Sequence, residues 1–279
     1  MKNKFLFVSL LSAAVLFSAC KKLDNRPYYL SVGSQENGLI TDDNGTILVP
    51  AAGTELPMPD GLNRVRVRTL FRLAHEDEAI TTQSPGTRYN IEIASLEHMP
   101  TQTISSPGAT TKNDPIMMPS LESNSEEVIQ ISTLTPSFQV VLNYVDLGIY
   151  HLVYSKNATA GNQYAEVSFA LEVDPVLRPD ERGMGPDTVY MALKFDNNRA
   201  EGETIEDAVR SVGTWRSFDL TRAEQYFPFK DEAGKNVTYI IKMMYNTYTD
   251  LKNMTEGDTV EKYLTTTWTP GYPYAVDTE

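Results

Sequence analysis

The feature that most constrains the fold is a two-residue alternation that runs from Arg64 to Leu73. One set of alternate positions holds Val65, Val67, Thr69, Phe71 and Leu73, and the other holds Arg64, Arg66, Arg68 and Arg72. Successive side chains of a β-strand point to opposite faces, so this pattern predicts a half-buried strand. We interpret the arginine side as an outward face whose cations pair with neighbouring carboxylates.

Strand patterns recur on both sides of a proline-rich stretch. Before it they cover residues 28–32, 38–41, 46–50 and 89–96, and Asn44-Gly45 predicts a tight hairpin because both residues accept a positive φ. After it, antiparallel strands with short turns and few helices predict a β-sandwich. The predicted strands of that second half are Val128–Thr133, Phe138–Val145, Ile149–Tyr154, Ala165–Val173, Thr188–Phe195, Val212–Phe218, Val237–Tyr245 and Val260–Trp268.

The proline-rich stretch itself, residues 99–124, is interpreted as a linker between two domains. Four prolines lie in it among Thr, Ser and Gly, at positions 100, 107, 115 and 119, and it shows no apolar period. We therefore predict an all-β chain with a first domain over residues 28–98 and a second over residues 125–279.

The N-terminus predicts an export signal followed by a lipid anchor. Lys2 and Lys4 precede an apolar stretch that ends at Ala19, and Cys20 follows directly. A basic start, a short apolar core and small residues before the cleavage point mark a signal peptide, and the core is shorter than the roughly 20 residues of a membrane-spanning helix. We expect residues 1–19 to be removed, Cys20 to carry diacylglycerol and palmitate-type chains, and residues 20–27 to form a tether.

Charge and cysteine content narrow the functional classes. The formal net charge is −13, and loss of the two lysines in residues 1–19 lowers it to −15. Such acidity argues against a nucleic-acid partner, because phosphate binding depends on clustered Lys and Arg. Cys20 is the single cysteine, so no disulfide is expected and each core must be stable through apolar burial.

Several segments resemble the NigD-like lipoproteins of the Bacteroides group. The resemblance covers most of the mature chain in order and spacing. It implies an N-terminal OB-type barrel, a C-terminal immunoglobulin-like antiparallel sandwich and a bacteriocin-immunity role, and it implies no catalytic residues. Family members commonly carry an acidic run after the cysteine, where this chain has Asp24 alone, so the sequence leaves the membrane face open. The segments that carry the resemblance are Gly61–Arg68, Tyr89–Ile93, Ser217–Leu220 and Val237–Tyr245.

No residue pattern predicts a catalytic centre, a metal site or a cofactor. The three histidines, His75, His98 and His151, stand in no serine, cysteine or zinc spacing, and Ala79 occupies the position where a HExxH motif starting at His75 needs its second histidine. Asp42–Gly45 begins like a calcium loop but has no Glu at the twelfth position, so we interpret it as a turn.

Two segments are candidate binding sites. The excursion between His75 and Arg88 is longer than the usual ~2–5 residues of a hairpin loop, and its acidic start, His75, Glu76, Asp77 and Glu78, is a candidate for partner recognition or a solvated loop without a partner. Near the C-terminus, Trp268, Tyr272 and Tyr274 lie between Pro and Gly residues, and their rings either stack on a glycan or pack on their own domain.

These observations predict a membrane-anchored, non-enzymatic interaction protein of the cell envelope. The expected location is the outer membrane, on the periplasmic or the cell-surface face, and an envelope protein is the expected partner. The alternative is a glycan-binding accessory lipoprotein of a carbohydrate-uptake system.

Overall fold

The computed structural model describes residues 26–75, 80, 85–110, 112–117, 138–179 and 185–271. Within these ranges the chain forms thirteen β-strands and two short 3-10 helices, Ile205–Asp207 and Thr221–Gln225. The predicted all-β class is confirmed.

The first half is a closed five-stranded barrel. Its strands follow the order β1-β2-β3-β5-β4, and β4 pairs back onto β1. β3 and β5 are parallel, and the other pairs are antiparallel. This is a five-stranded barrel of the predicted OB type. The strands are β1 (Tyr29–Glu36), β2 (Leu39–Asp42), β3 (Ile47–Pro50), β4 (Arg64–Leu73) and β5 (Arg88–Met99).

The alternation in β4 places its apolar residues inside the barrel. Val67 and Phe71 of β4 are almost completely buried, and they share one hydrophobic core with the equally buried Ile91 of β5. A turn forms at Asn44-Gly45, where the Asp42 carboxylate accepts hydrogen bonds from the backbone N–H groups of Asn44 (2.9 Å) and Thr46 (2.8 Å). Gly45 has the expected positive φ (81°), but Asn44 does not, so the predicted geometry is only partly met.

The second half is a sandwich of two four-stranded sheets. One sheet has the order β6-β11-β8-β7 and the other the order β13-β12-β10-β9. Buried side chains of both sheets share one core, which is separate from the barrel core. The strands are β6 (Thr101–Thr103), β7 (Phe138–Val141), β8 (Tyr144–Val153), β9 (Ser168–Val173), β10 (Thr188–Asp196), β11 (Arg210–Asp219), β12 (Tyr239–Tyr248) and β13 (Thr259–Trp268).

Two details of the sandwich differ from the prediction, and one predicted strand is untested. The pairs β6–β11 and β10–β12 are parallel, so the sandwich is mixed and not wholly antiparallel. After β10 the chain crosses to the other sheet for β11 and returns as β12 in its original direction. The predicted strand Phe138–Val145 is divided by a tight turn at Leu142 (φ 56°), and the predicted strand Val128–Thr133 lies outside the described residues.

The described part of residues 99–124 is built into the sandwich and is not a free linker. Only Pro100 separates β5 from β6, and β6 pairs with β11. Farther along, Ser105 bridges Glu172 of β9, and Met117 pairs with Tyr150 of β8. Pro100, Pro107 and Pro115 lie between these paired residues, at positions where no backbone N–H is required. Pairing of this stretch is therefore compatible with its proline content.

Candidate functional site

The arginine face of β4 joins the barrel to the sandwich. Arg66 is 2% exposed, and its guanidinium pairs with Asp43 in the β2–β3 turn (2.5 Å) and with Asp146 on β8. The Tyr144 ring lies 4.6 Å from the same guanidinium. Arg66 therefore links the two halves through buried ion pairs, a contact that we call the buried tie. Its predicted outward position is wrong.

Two other arginines of the face, Arg68 and Arg72, bind carboxylates as predicted. Arg68 lies 3.7 Å from Glu97 and 5.0 Å from the centre of the Trp215 ring on β11. Arg72 pairs with Glu92 at 2.8 Å. The sequence could not show that the Arg66 and Arg68 end of this face is covered by the sandwich.

Burial controls the electrostatics of the Arg66 cluster. Desolvation raises the pKa of Asp43 above its ordinary value, against the lowering effect of Arg66. Burial alone lowers the pKa of the Arg66 guanidinium, but the hydrogen bonds and charges of Asp43 and Asp146 outweigh it and raise that pKa. The Arg66 guanidinium therefore stays charged. Its charge and hydrogen bonds offset the cost of burying the carboxylates of Asp43 and Asp146.

A cleft of about 730 Å³ opens beside this cluster, with walls from both halves. We call it the barrel–sandwich cleft. The barrel contributes the end residues of β4 and β5, and the sandwich contributes residues of β6, β8 and β11. Six of its lining residues carry the argument below: Arg64, His98, Pro100, Gln102, Tyr144 and Asp219.

The cleft presents polar groups of both charge types. Within the described residues, the buried Nε atom of Arg64 has no hydrogen-bond partner. His98 Nε2 lies 3.2 Å from Gln35 Oε1, and Gln35 donates its own amide to the carbonyl of Pro57 at 3.0 Å. With Oε1 as the acceptor, His98 Nε2 is the donor of this hydrogen bond. Such a set of groups suits recognition of a polar, partly anionic surface.

A second concave surface lies on the outer face of the β13-β12-β10-β9 sheet. Lys242 lies between two tyrosines, 5.6 Å from the ring centre of Tyr190 and 4.8 Å from that of Tyr263. Arg178 lies 4.3 Å from the Tyr190 ring centre. We call this the Tyr190–Tyr263 groove; its volume is about 290 Å³, and the carboxylate residues Glu172 and Asp174 line it as well.

The structure describes one residue of the predicted aromatic site, Trp268. Trp268 is 1% exposed, donates its indole N–H to the carbonyl of Leu142 at 2.7 Å, and packs against Phe229 and Tyr239. A ring held in the core is not available to stack on a glycan, so Trp268 follows the second alternative and packs on its own domain. Tyr272 and Tyr274 lie outside the described residues.

The remaining predicted positions are only partly described. His75 is exposed just after β4, while Glu76, Asp77 and Glu78, like Cys20, lie outside the described residues. His151 is buried against Phe169 and Phe195, and this burial lowers its pKa. The described ranges contain no group of three or more metal-ligating side chains and no helix long and apolar enough to span a membrane.

Sequence reasoning missed both concave surfaces because each is assembled from distant residues. Arg64 and Asp219 are 155 positions apart in the sequence. Tyr190 and Tyr263 come together only through the parallel β10–β12 pair and the antiparallel β12–β13 pair. The one available signal was the exposed phase of the alternation in β10, which contains Tyr190.

No family model and no curated protein matches the chain. Solved structures do. A predicted lipoprotein from Bacteroides fragilis NCTC 9343 is 15% identical, with a TM-score of 0.56 over 88% of this chain and 100% of that one. An uncharacterized protein from Parabacteroides merdae ATCC 43184 is 10% identical, with a TM-score of 0.51 over 86% of this chain and 98% of that one.

A NigD-like immunity protein from Bacteroides caccae ATCC 43185 is also among the similar structures. It is 16% identical, with a TM-score of 0.48 over 87% of this chain and 94% of that one. With its relatives from Bacteroides fragilis and Parabacteroides merdae, the chain shares its fold over nearly its whole length.

Proposed function

We propose that the protein is a non-enzymatic interaction protein, anchored to the outer membrane through lipid on Cys20, that binds an envelope protein in the barrel–sandwich cleft. The observation that carries the proposal is the buried Nε of Arg64, which lacks a partner among the described residues of a cleft built by both halves. Pockets between domains are the usual place for a binding site.

The chemistry of the cleft favours a partner that brings an acidic side chain. A buried guanidinium nitrogen without a hydrogen bond costs about 1–3 kcal/mol or more, and a carboxylate is the group that an arginine fork binds best. Tyr144 and Pro100 supply flat and apolar surface beside this cation. The arrangement serves recognition, with His98 engaged by Gln35 and Arg66 engaged by its own carboxylates.

The proposal includes two finer elements. A bacteriocin-immunity role follows from the sequence resemblance, and a bacteriocin gene beside this one would favour it. The acidic segment His75, Glu76, Asp77 and Glu78 is a further candidate contact, and its replacement by a short Asn-Gly turn should reduce partner capture if it takes part.

Site-specific cross-linking in intact cells tests the cleft. A photoreactive phenylalanine analogue replaces Gln102, an exposed cleft residue, and in a matched control it replaces Val176, which is exposed on the sandwich. We expect a discrete adduct from position 102 only, and we expect it to weaken when Arg64→Gln is added. The same adducts from both positions, or an adduct that ignores Arg64→Gln, would contradict the proposal.

Glycan binding is the second candidate function, and the Tyr190–Tyr263 groove favours it. Tyrosine rings offer an apolar face with a polar tip, and the neighbouring carboxylates and cations can bind sugar hydroxyls. Screening against an array of polysaccharides is the direct test. Tyr263→Ala should abolish any binding, whereas Tyr28→Ala, another exposed tyrosine, should leave it unchanged. Binding that survives Tyr263→Ala would exclude this groove.

A further inference from the structure

The barrel carries an exposed apolar patch close to the start of the described chain. Tyr28 is 57% exposed and Leu30 is 46% exposed. Leu30 pairs with Leu70 of β4, which is half-buried beside it. These three residues, the Tyr28–Leu30 patch, lie side by side on the outer face of β1 and β4.

The patch continues the face that the sandwich covers at its other end. Along β4, Arg66 and Arg68 contact the sandwich, whereas Leu70 and Arg72 extend beyond it. Arg72 lies 6.0 Å from the Tyr28 ring centre and so borders the patch with a cation. The end of β4 that the sandwich leaves uncovered is therefore apolar and aromatic, with a basic edge. The net charge of the whole chain, by contrast, is strongly negative.

Arg26 fixes the point where the N-terminal segment leaves the barrel. Its Nη1 donates to the carbonyls of Leu73 at 2.6 Å and Ala74 at 2.8 Å, and its Nη2 pairs with Glu92 at 3.0 Å. Arg26 lies six positions after Cys20, so at about 3.4 Å per extended residue the span is at most ~20 Å.

From this geometry we infer that the Tyr28–Leu30 patch rests on the membrane surface, in the interface between lipid headgroups and acyl chains. The inference rests on the proposed lipid anchor at Cys20. A short tether keeps the patch at high effective concentration beside the bilayer. Tyrosine and leucine suit that interface, since an amphipathic ring and an apolar side chain enter it together.

The charge distribution supports a lipid occupant over a second copy or a protein partner. The mature chain carries a net charge of −15, which disfavours broad contact between the rest of its surface and anionic headgroups. Arg26 and Arg72 share a single carboxylate, Glu92, so this cluster leaves one net positive charge at the border of the patch. A bilayer lies within the reach of the tether at all times, whereas another protein must arrive by diffusion. The barrel is then proximal to the membrane.

Fluorescence quenching by lipid tests this orientation. The mature chain, residues 20–279, is coupled through its single thiol at Cys20 to a maleimide lipid in phosphatidylcholine vesicles, with and without brominated acyl chains. Tryptophan is introduced as Tyr28→Trp or Leu30→Trp, and in a matched control as Val176→Trp at a site that is 59% exposed. Circular dichroism checks that each variant folds. Two patch positions are used so that the test remains possible if one of the two variants does not fold.

We expect the brominated lipid to reduce the added emission of the Tyr28→Trp and Leu30→Trp variants and to leave that of Val176→Trp unchanged. No quenching at the patch, or equal quenching at all three positions, would overturn the inference. A further result would also overturn it. If the fluorescence of the Tyr28→Trp or Leu30→Trp variant changed with protein concentration in solution, the patch would be assigned to contact with a second copy of the chain. Failure of the natural anchor is detected separately, as a Cys20→Ala protein that still sediments with cell membranes.

Discussion

At the scale of single residues, we expect substitution of Arg66 to have a large effect on the free energy of unfolding. Its replacement by methionine keeps the volume but leaves Asp43 and Asp146 without their cation in a buried site. Removal of one partner of a buried ion pair costs about 3–5 kcal/mol. We expect Arg66→Met to lower the free energy of unfolding by that amount, measured by urea denaturation.

The matched control is Arg72→Met in the same strand, where the pair with Glu92 is partly exposed. Exposed pairs contribute about 0–1 kcal/mol, so this variant should be nearly as stable as the parent. Asp146→Asn, added to Arg66→Met, should restore part of the loss because it removes a buried charge. Equal losses for Arg66→Met and Arg72→Met would show that the Arg66 cluster is hydrated in solution.

His151 should make stability sensitive to acid. Burial, aided by the charge of Arg216, lowers its pKa below the ordinary 6.5. As the pH falls through 6.5, the unfolded chain takes up a proton that the folded chain refuses, so the stability that this residue contributes above pH 6.5 is lost progressively.

His151→Phe should flatten the decline of stability between about pH 7 and pH 5, measured by urea denaturation at each pH. The aromatic ring keeps the contacts with Phe169 and Phe195. His75→Asn, a change at an exposed histidine, should retain the decline. A His151→Phe protein with the parent's pH profile would assign the decline to other groups.

At the scale of elements, Gly33 controls the curvature of β1. It pairs with Asp42 of β2 and with Val67 of β4 at once. A Cβ atom there would lie 2.2 Å from the carbonyl oxygen of Thr41 and 2.7 Å from Asp42 Cα. Both obstacles are backbone atoms, so the strands would have to separate.

We expect Gly33→Ala to destabilise the barrel by about 1–3 kcal/mol or more, seen as a lower midpoint of thermal unfolding. Ser34→Ala, at the next and equally buried position, should cost about 1 kcal/mol or less. If Gly33→Ala proves as stable as Ser34→Ala, the close approach of β1 and β2 does not exist in solution.

Elements with strong local patterns could be predicted from the sequence, and those that depend on distant pairing could not. The alternation in β4 and the turn at Asn44-Gly45 are local signals: the strand forms as predicted, and the turn forms with a positive φ at Gly45 but not at Asn44. β6 has three polar or hydroxyl residues and is defined by parallel pairing with β11, more than a hundred positions later. The turn at Leu142 was missed because a leucine adopts the positive φ that usually signals glycine.

The same distinction explains the candidate sites. The sequence left open whether Trp268 stacks on a glycan or packs on its own domain, and the structure shows it on the inward side of β13 with Leu264. The barrel–sandwich cleft could not be predicted, since no local pattern states which face of β4 the sandwich covers. Fold class therefore followed from periodicity, while the sites required the tertiary arrangement.

At the scale of the whole molecule, the halves should unfold together despite their separate cores. Arg66 bridges them, β6 begins one residue after β5 ends, and the backbone N–H of Ser217 donates to the carbonyl of Pro100 at 3.1 Å. Both tryptophans, Trp215 and Trp268, lie in the sandwich, so their fluorescence reports that half, while far-ultraviolet circular dichroism reports both.

We expect the two signals to change at the same urea concentration in the parent protein, as cooperative unfolding requires. In Arg66→Met the midpoints should separate, because the buried tie is lost. In Arg72→Met they should still coincide. Distinct midpoints in the parent would show that the cores are thermodynamically independent and that the buried tie adds little coupling.

The edge strands of the sandwich affect how closely copies of the protein can be packed without pairing with one another. Unpaired strand edges invite a neighbouring chain to add its own strand, and short edges resist this. β6 and β7 are short, and Ser105 bridges the outer side of β9. β13 runs for ten residues, with Glu261 and Lys262 exposed along it. Crowded copies on one bilayer would thus be kept from intermolecular sheet growth by brevity at some borders and by charge at β13.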